Sequence, residues 1–220
     1  GVFMPIDIRA WLDQAQASLQ AAFGPRLLFL GLQGSYGRGE AQEGSDIDLV
    51  VILDEAAPED WRIYRGLLSA LPYSELACGF FSGAAQLAHW DRADLFQFVH
   101  DTTPILGDLN ALVPPIGRAD VERALRRTAC DVYHITGHNL LHGRSVEVLS
   151  AQFKSAAFAL RASHYLTAGI FPRSTEDLAA ALTPCHRAIL EGRAGLTAAN
   201  LEGRSQLLLA WASSALEELS

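Results

Sequence analysis

Residues 32–53 read LQGSYGRGEAQEGSDIDLVVIL, and this stretch decides the fold. It begins at the end of a nearly continuous apolar run, residues 26–33 (RLLFLGLQ), and closes inside another, residues 47–53 (IDLVVIL). Short apolar runs without alternation suit strands buried on both faces. Between them, residues 34–45 are rich in glycine and polar side chains, which predicts a loop with room for one helical turn. Gly34-Ser35 follows the first strand directly, and Asp46-Ile47-Asp48 stands at the mouth of the second. Residues two apart on a strand share a face, so Asp46 and Asp48 aim their carboxylates at one place while Ile47 turns into the core.

Paired carboxylates repel one another unless positive charge lies between them. A hard divalent cation is the natural partner, and Mg²⁺ in particular takes oxygen ligands and shares them with substrate phosphates. Gly34 lets the backbone approach closely, and the Ser35 hydroxyl and neighbouring amides can hold a phosphate oxygen. Arg38 is placed to neutralise further charge, and Ser45 stands at the entry to the acidic pair. These residues describe a site for a metal-bound nucleoside triphosphate.

The composite of Gly-Ser, ten residues and Asp-x-Asp between two apolar strands resembles the signature of the DNA polymerase β-like nucleotidyltransferase superfamily. The resemblance covers roughly residues 5–110 and implies an α+β fold: a small mixed-sheet core with flanking helices. The second half resembles the helical domain of kanamycin nucleotidyltransferase-like proteins. That likeness rests on Tyr165, on Gly169-Ile170-Phe171-Pro172 ending a helix, and on a new helix start at Ser174-Thr175-Glu176-Asp177. What the resemblance implies is a two-Mg²⁺ site held by Asp46 and Asp48, with ATP or another NTP as substrate. An acceptor hydroxyl attacks the α-phosphorus and pyrophosphate leaves. An aminoglycoside-like small molecule or a protein side chain is the implied acceptor, and a homodimer is a further implication.

The family also implies a third carboxylate, on the strand matching residues 73–81 (YSELACGFF), at Ala77 or Gly79. Neither is acidic. Glu75 shares their face on a strand, about 7 Å away, and a bulge or shift of register would bring it into place as the third metal ligand. The alternatives are a site with two carboxylates, or a catalytically weakened nucleotide-binding or antitoxin-like interaction module.

Outward from this centre, a helix is predicted over residues 5–23, with Ile8, Trp11, Leu12, Ala15, Leu19 and Ala22 on one face. Another is predicted over residues 58–71, one or two short helices over 83–98, and a short strand at 103–107. The segment Leu112-Val113-Pro114-Pro115-Ile116-Gly117 is the best linker in the chain. After it every periodic segment is helical, predicting an all-α bundle over residues 114–220 behind a core over residues 1–113.

In the bundle, Asp131, His134, His138 and His142 recur at helical spacing and form one stripe. Three readings stand: a transition-metal site, a substrate-facing wall in which His134 or Asp131 is the acceptor base, or a solvated helix face. The match of Asp131 and His134 to a general-base carboxylate is implied by the resemblance to the kanamycin enzyme. Lys154 is the single lysine among 17 basic residues. Its compact charge suits phosphate or a polar acceptor, the alternative being an ordinary surface position. Arg127 and His134 also fit the loose Arg-x₆-His spacing of HEPN-type ribonucleases.

Composition narrows the function. The 220 residues carry 25 acidic and 17 basic side chains, a formal charge of −8. A sequence-blind nucleic-acid binder needs a basic face, so nucleic acid is a disfavoured partner. Cys78, Cys130 and Cys185 are widely spaced and form no disulfide framework, which points to a reducing compartment. No apolar run reaches membrane-span length, and Gly1-Val2-Phe3-Met4 has no signal-peptide character, with Gly1–Phe3 resembling a cloning remnant. A cytoplasmic enzyme is the expectation.

Overall fold

The computed structural model describes residues 6–219. The chain divides after Pro115, inside the Pro-Pro linker, into two compact units.

The first unit is a four-stranded mixed sheet with helices. The strands β1 (Leu27–Gln33), β2 (Ile47–Leu53), β3 (Ala77–Gly83) and β4 (Thr103–Leu106) lie in the order β3-β2-β1-β4. β1 runs antiparallel to both neighbours, and β3 is parallel to β2. The parallel step requires a crossover, supplied by α3 (Pro58–Ala70). Strand β2 is buried at six of its seven positions, Asp48 being the one left half-buried. An unbroken apolar run thus produces a central strand, and its single polar break marks the site.

One face of the sheet is covered by α1 (Ile8–Phe23) and α3. Trp11, Ala15, Leu19 and Phe23 of α1 join Tyr64 of α3, Ile47, Leu49 and Val51 of β2 and Phe81 of β3 in one core. Tyr64 stacks on Phe81 with ring centroids 4.4 Å apart. Helix α1 begins at Ile8 because Asp7 caps it, accepting from the Ala10 N–H at 3.0 Å. The Pro5 start expected from sequence lies outside the described residues. Phe23, rather than Ala22, completes the buried face.

The other expected elements are present with shifted ends. The loop after β1 opens with one short helix, α2 (Gly34–Arg38), and α4 (Ala84–Ala88) and α5 (Arg92–His100) precede β4. The strand expected over 73–81 is different in kind at its start. Tyr73 takes a left-handed conformation (φ 56°), Ser74–Leu76 form a 3₁₀ turn, and pairing begins only at Ala77. Tyr73 and Ser74 read as β-prone or neutral in isolation, and the chain's need to turn from α3 onto β2 overrides that tendency.

Asp60 anchors the start of α3. Its buried carboxylate accepts from Arg26 Nη1 at 2.9 Å and Nη2 at 2.8 Å, and from the Ala57 N–H at 2.9 Å. The arginine fork joins the 3₁₀ turn at Gly24–Arg26, just ahead of β1, to the crossover helix.

The second unit is all helical. It contains α6 (Arg118–His138), running into a π-helical turn at Asn139–Gly143, then α7 (Val146–Ala168), α8 (Thr175–Ala181), α9 (Pro184–Glu191) and α10 (Leu201–Glu218). Its buried side chains include Val121, Leu125, Val132, Leu149, Phe153, Leu160, Leu178, Ile189 and Leu208. The turn between α6 and α7 is pinned by Asn139, whose Nδ2 donates to the Ser145 carbonyl and whose Oδ1 accepts from the Ser145 N–H, both at 2.9 Å. None of the described helices is long and apolar enough to cross a membrane.

Candidate active site

The site is built where β1 ends and β2 begins. Gln33 pairs with Asp48 across the antiparallel ladder, so the turn at Gly34 lies beside the second carboxylate. Gly34 has φ +67°, and a Cβ there would stand 2.3 Å from Asp48 Oδ2. The site requires glycine twice over, for the left-handed backbone and for the close approach. Asp46 is exposed just ahead of β2, and Ile47 is fully buried between the two aspartates. Burial thus alternates over Asp46, Ile47 and Asp48.

The pKa of Asp48 is raised. Partial burial is the largest cause, followed by the negative charges of Asp46 and Asp101; Arg38 and a hydrogen bond from the Cys78 thiol pull the other way. A half-buried carboxylate that is crowded by like charge is a place where a cation lowers the energy.

The β1–α2 turn is tied to the α5–β4 junction by long-range bonds. Gln33 Nε2 donates to Thr102 Oγ1 at 2.7 Å and to the Phe98 carbonyl at 3.2 Å, and Thr103 Oγ1 donates to the Gly37 carbonyl at 3.0 Å. Arg38 Nη1 donates to both oxygens of Asp101, at 2.8 and 3.1 Å, and its Nε donates to Glu40 Oε2 at 3.2 Å. The Gly34 N–H points at Asp101 Oδ2 at 3.4 Å. Partial burial works against the charge of Arg38, and Asp101 and Glu40 more than offset it, so its pKa is raised.

Asp101 adds a further carboxylate, and its place at the end of a helical segment gives it the look of a cap. It does cap α5. The fold also delivers it to the turn that holds Gly34 and Arg38, 63 residues away from the arginine in the chain. No local signal announces that contact.

Glu75 does not reach this place. In the parallel register Asp48 pairs with Cys78, and the Cys78 thiol bonds to Asp48. Glu75 lies ahead of the strand in the 3₁₀ turn, where it lines a groove with Trp61, Arg62, Tyr64 and Arg65 of α3. That is the side on which Leu49 and Tyr64 share the core, opposite to Asp48. Gly79 cannot accept a side chain, since a Cβ there would lie 2.0 Å from the Leu49 carbonyl oxygen. The strand that was expected to hold a third carboxylate reads ACGFFSG and presents a thiol beside Asp48.

Among the other expected residues, Ser35 is half-buried in α2. Ser45 Oγ accepts from the Gln42 N–H at 2.8 Å, which closes the turn leading into Asp46. In the helical unit Asp131, His134, His138 and His142 are all exposed. The imidazoles form a ladder, with centroids 6.3 Å apart between His134 and His138 and 4.8 Å between His138 and His142. Lys154 is exposed on α7. Arg161, seven residues further along α7, donates to the carbonyls of Pro172 and Arg173, at 2.9 and 3.3 Å.

Among the described residues no group of three or more His, Cys, Asp and Glu side chains is arranged to hold a metal ion by itself. The stripe on α6 thus gains no support as a metal centre. Asp46 and Asp48 offer hard oxygen donors, which suit Mg²⁺ completed by phosphate oxygens and water rather than an all-protein cage.

Residues 18–99 match the family model of the nucleotidyltransferase domain. The match is confined to the first unit. The matched span begins within α1 and ends within α5, so it contains Gly34, Arg38, Asp46 and Asp48 but stops two residues short of Asp101. The whole chain also resembles a solved structure, the spectinomycin adenyltransferase AAD(9) from Enterococcus faecialis with ATP and spectinomycin. The TM-score is 0.61 and the identity 14%, with 95% of this chain and 99% of that chain covered. At that identity the likeness concerns the fold. A comparison with curated protein sequences gives no match.

Proposed function

We propose that this protein is a Mg²⁺-dependent nucleotidyltransferase that moves a nucleoside monophosphate from ATP, or another NTP, to a hydroxyl of a small aminoglycoside-like acceptor. The observation that carries the proposal is the Gly34–Asp48 contact. A left-handed glycine brings a backbone turn against the half-buried carboxylate of Asp48, which also feels the charge of Asp46, leaving no room even for a methyl group.

In the reaction the acceptor oxygen forms a bond to the α-phosphorus as the bond to the β-phosphate bridging oxygen breaks, and pyrophosphate leaves. Mg²⁺, when bound, supplies charge neutralisation for the triphosphate and the developing oxyanions. Asp46 and Asp48 would hold it. Gly34 and Ser35 line the turn, Ser45 keeps the loop before Asp46 closed, and Arg38 offers N–H groups to the phosphates. The residues of the helical unit with chemistry suited to the acceptor are Asp131 and His134 as base and Lys154 as a fixed positive charge.

The choice of ATP and of an aminoglycoside-like acceptor draws on the structural relative, which was solved with ATP and spectinomycin. The charge of −8 also suits a polycationic acceptor better than a nucleic acid. Three exposed free cysteines agree with a reducing cytoplasm. A homodimer belongs to the same reading and is tested by light scattering.

A second reading is a nucleotide-binding module without turnover. It is favoured by β3, which reads ACGFFSG, carries no carboxylate and sets the Cys78 thiol beside Asp48. Incubation with Mg²⁺ and labelled NTPs across an acceptor panel separates the two. Acceptor-dependent pyrophosphate release supports transfer, and tight Mg·NTP binding with no release from any acceptor supports the module.

A further inference from the structure

Resting on the nucleotidyltransferase reading, we propose that Asp101 and Glu40 are positioning residues that fix the Arg38 guanidinium so that its remaining N–H edge meets the triphosphate. A guanidinium carries five N–H donors in one plane. Asp101 takes the Nη1 edge at 2.8 and 3.1 Å, and Glu40 takes Nε at 3.2 Å. Two carboxylates held on a planar fork define its plane as well as its place, and they leave the Nη2 edge directed elsewhere.

Charge counting shows why the arrangement is directional. Asp46, Asp48, Asp101 and Glu40 outnumber Arg38 at this turn, so the arginine does not make the neighbourhood positive. Its use lies in donors of fixed orientation, and a side chain already immobilised loses less freedom when a ligand binds. Asp101, Arg38 and Glu40 are 18%, 23% and 29% exposed, so water screens them only in part. The same Asp101 carboxylate faces the Gly34 N–H at 3.4 Å. The clamp is therefore registered to the turn that touches Asp48. Its components come from α2, from the loop after it and from the end of α5, and they meet only in the folded core.

The test is a double-mutant cycle on the full chain, read by titration calorimetry with Mg·ATP and with adenosine. Asp101→Ala should weaken Mg·ATP binding about five- to tenfold, the scale of one arginine's regained freedom. Adenosine, lacking phosphates, should bind unchanged. Asp101→Asn, which keeps an acceptor for Nη1, should lose less than Asp101→Ala. In an Arg38→Ala background Asp101→Ala should lose far less than it does in the wild type, because the aspartate acts chiefly through the arginine. Glu40→Ala, in the loop after α2, gives an independent weakening if Asp101→Ala does not fold. Wild-type or tighter Mg·ATP binding by Asp101→Ala overturns the proposal, as does an equal loss in both backgrounds. Failure of the wild type to bind Mg·ATP overturns the underlying reading and the clamp with it, whereas binding without coupling overturns the clamp alone.

Discussion

Replacing Gly34 by alanine separates what the left-handed turn costs the fold from what the close approach to Asp48 does for the site. Gly34 and Gly39 flank the same short helix, with φ +67° and +72°. Forcing alanine into that conformation costs about 1–2 kcal/mol at either position. The surroundings differ. A Cβ at Gly39 meets nothing within 4 Å, whereas a Cβ at Gly34 falls 2.3 Å from Asp48 Oδ2 and 3.3 Å from its Cγ. Ordinary contact begins at 3.4 Å, so the carboxylate has to withdraw by roughly 1 Å. It is the end of a half-buried side chain and can rotate, at an off-rotamer cost of about 0.5–1.5 kcal/mol. A displacement of that size at a reacting centre costs on the order of 10²-fold in rate. Urea unfolding should therefore show Gly34→Ala and Gly39→Ala destabilised within about 1.5 kcal/mol of one another. Mg·ATP-dependent pyrophosphate release should fall about 100-fold for Gly34→Ala and by less than about threefold for Gly39→Ala. Equal activity in the two variants would refute the reasoning, because it would mean that the position of Asp48 does not matter.

Three further outcomes follow from the same geometry. Asp48→Asn removes a carboxylate whose pKa is raised in the folded state; such a group opposes folding once the pH exceeds its unfolded value, so the melting temperature of the metal-free variant at pH 7 should rise while its stabilisation by Mg·ATP disappears. Glu75→Gln should leave Mg·ATP affinity within about twofold of wild type by calorimetry, since the side chain lines the α3 groove on the far side of the sheet; a tenfold loss would return it to the metal site. Asp60 is the opposite case to Asp48: its pKa is lowered, chiefly by hydrogen bonds from Arg26, so its contribution is present above the unfolded carboxylate range and is lost as pH falls through the depressed folded value. Asp60→Asn should lower the urea midpoint at pH 7 and flatten the acid limb of the stability profile.

The parts of the site that could be read in the sequence are those built by neighbours in the chain. Gly34, Arg38, Asp46 and Asp48 lie within one strand-turn-strand segment, where period-two alternation predicts that both aspartates turn away from the core that Ile47 enters. The burial of β2 and the helix α3 were likewise written in local apolar pattern. The family resemblance added the expectation of a third carboxylate, and there local reasoning failed. Counting along an assumed strand put Glu75 on the face of Ala77 and Gly79, but the chain forms a 3₁₀ turn at that point and pairs only from Ala77.

What the sequence by itself determined is therefore the pair of buried strands, the glycine turn between them and the acidic pair at the mouth of the second. What only the tertiary structure decided is which residues join them. The parallel register of β3 on β2 puts Cys78 beside Asp48, and a shift of a single residue would have exchanged the faces. The packing of α5 and β4 against β1 carries Asp101 to Arg38 across 63 positions of chain. Register and long-range approach depend on how whole elements pack, and no window of neighbouring residues contains that information.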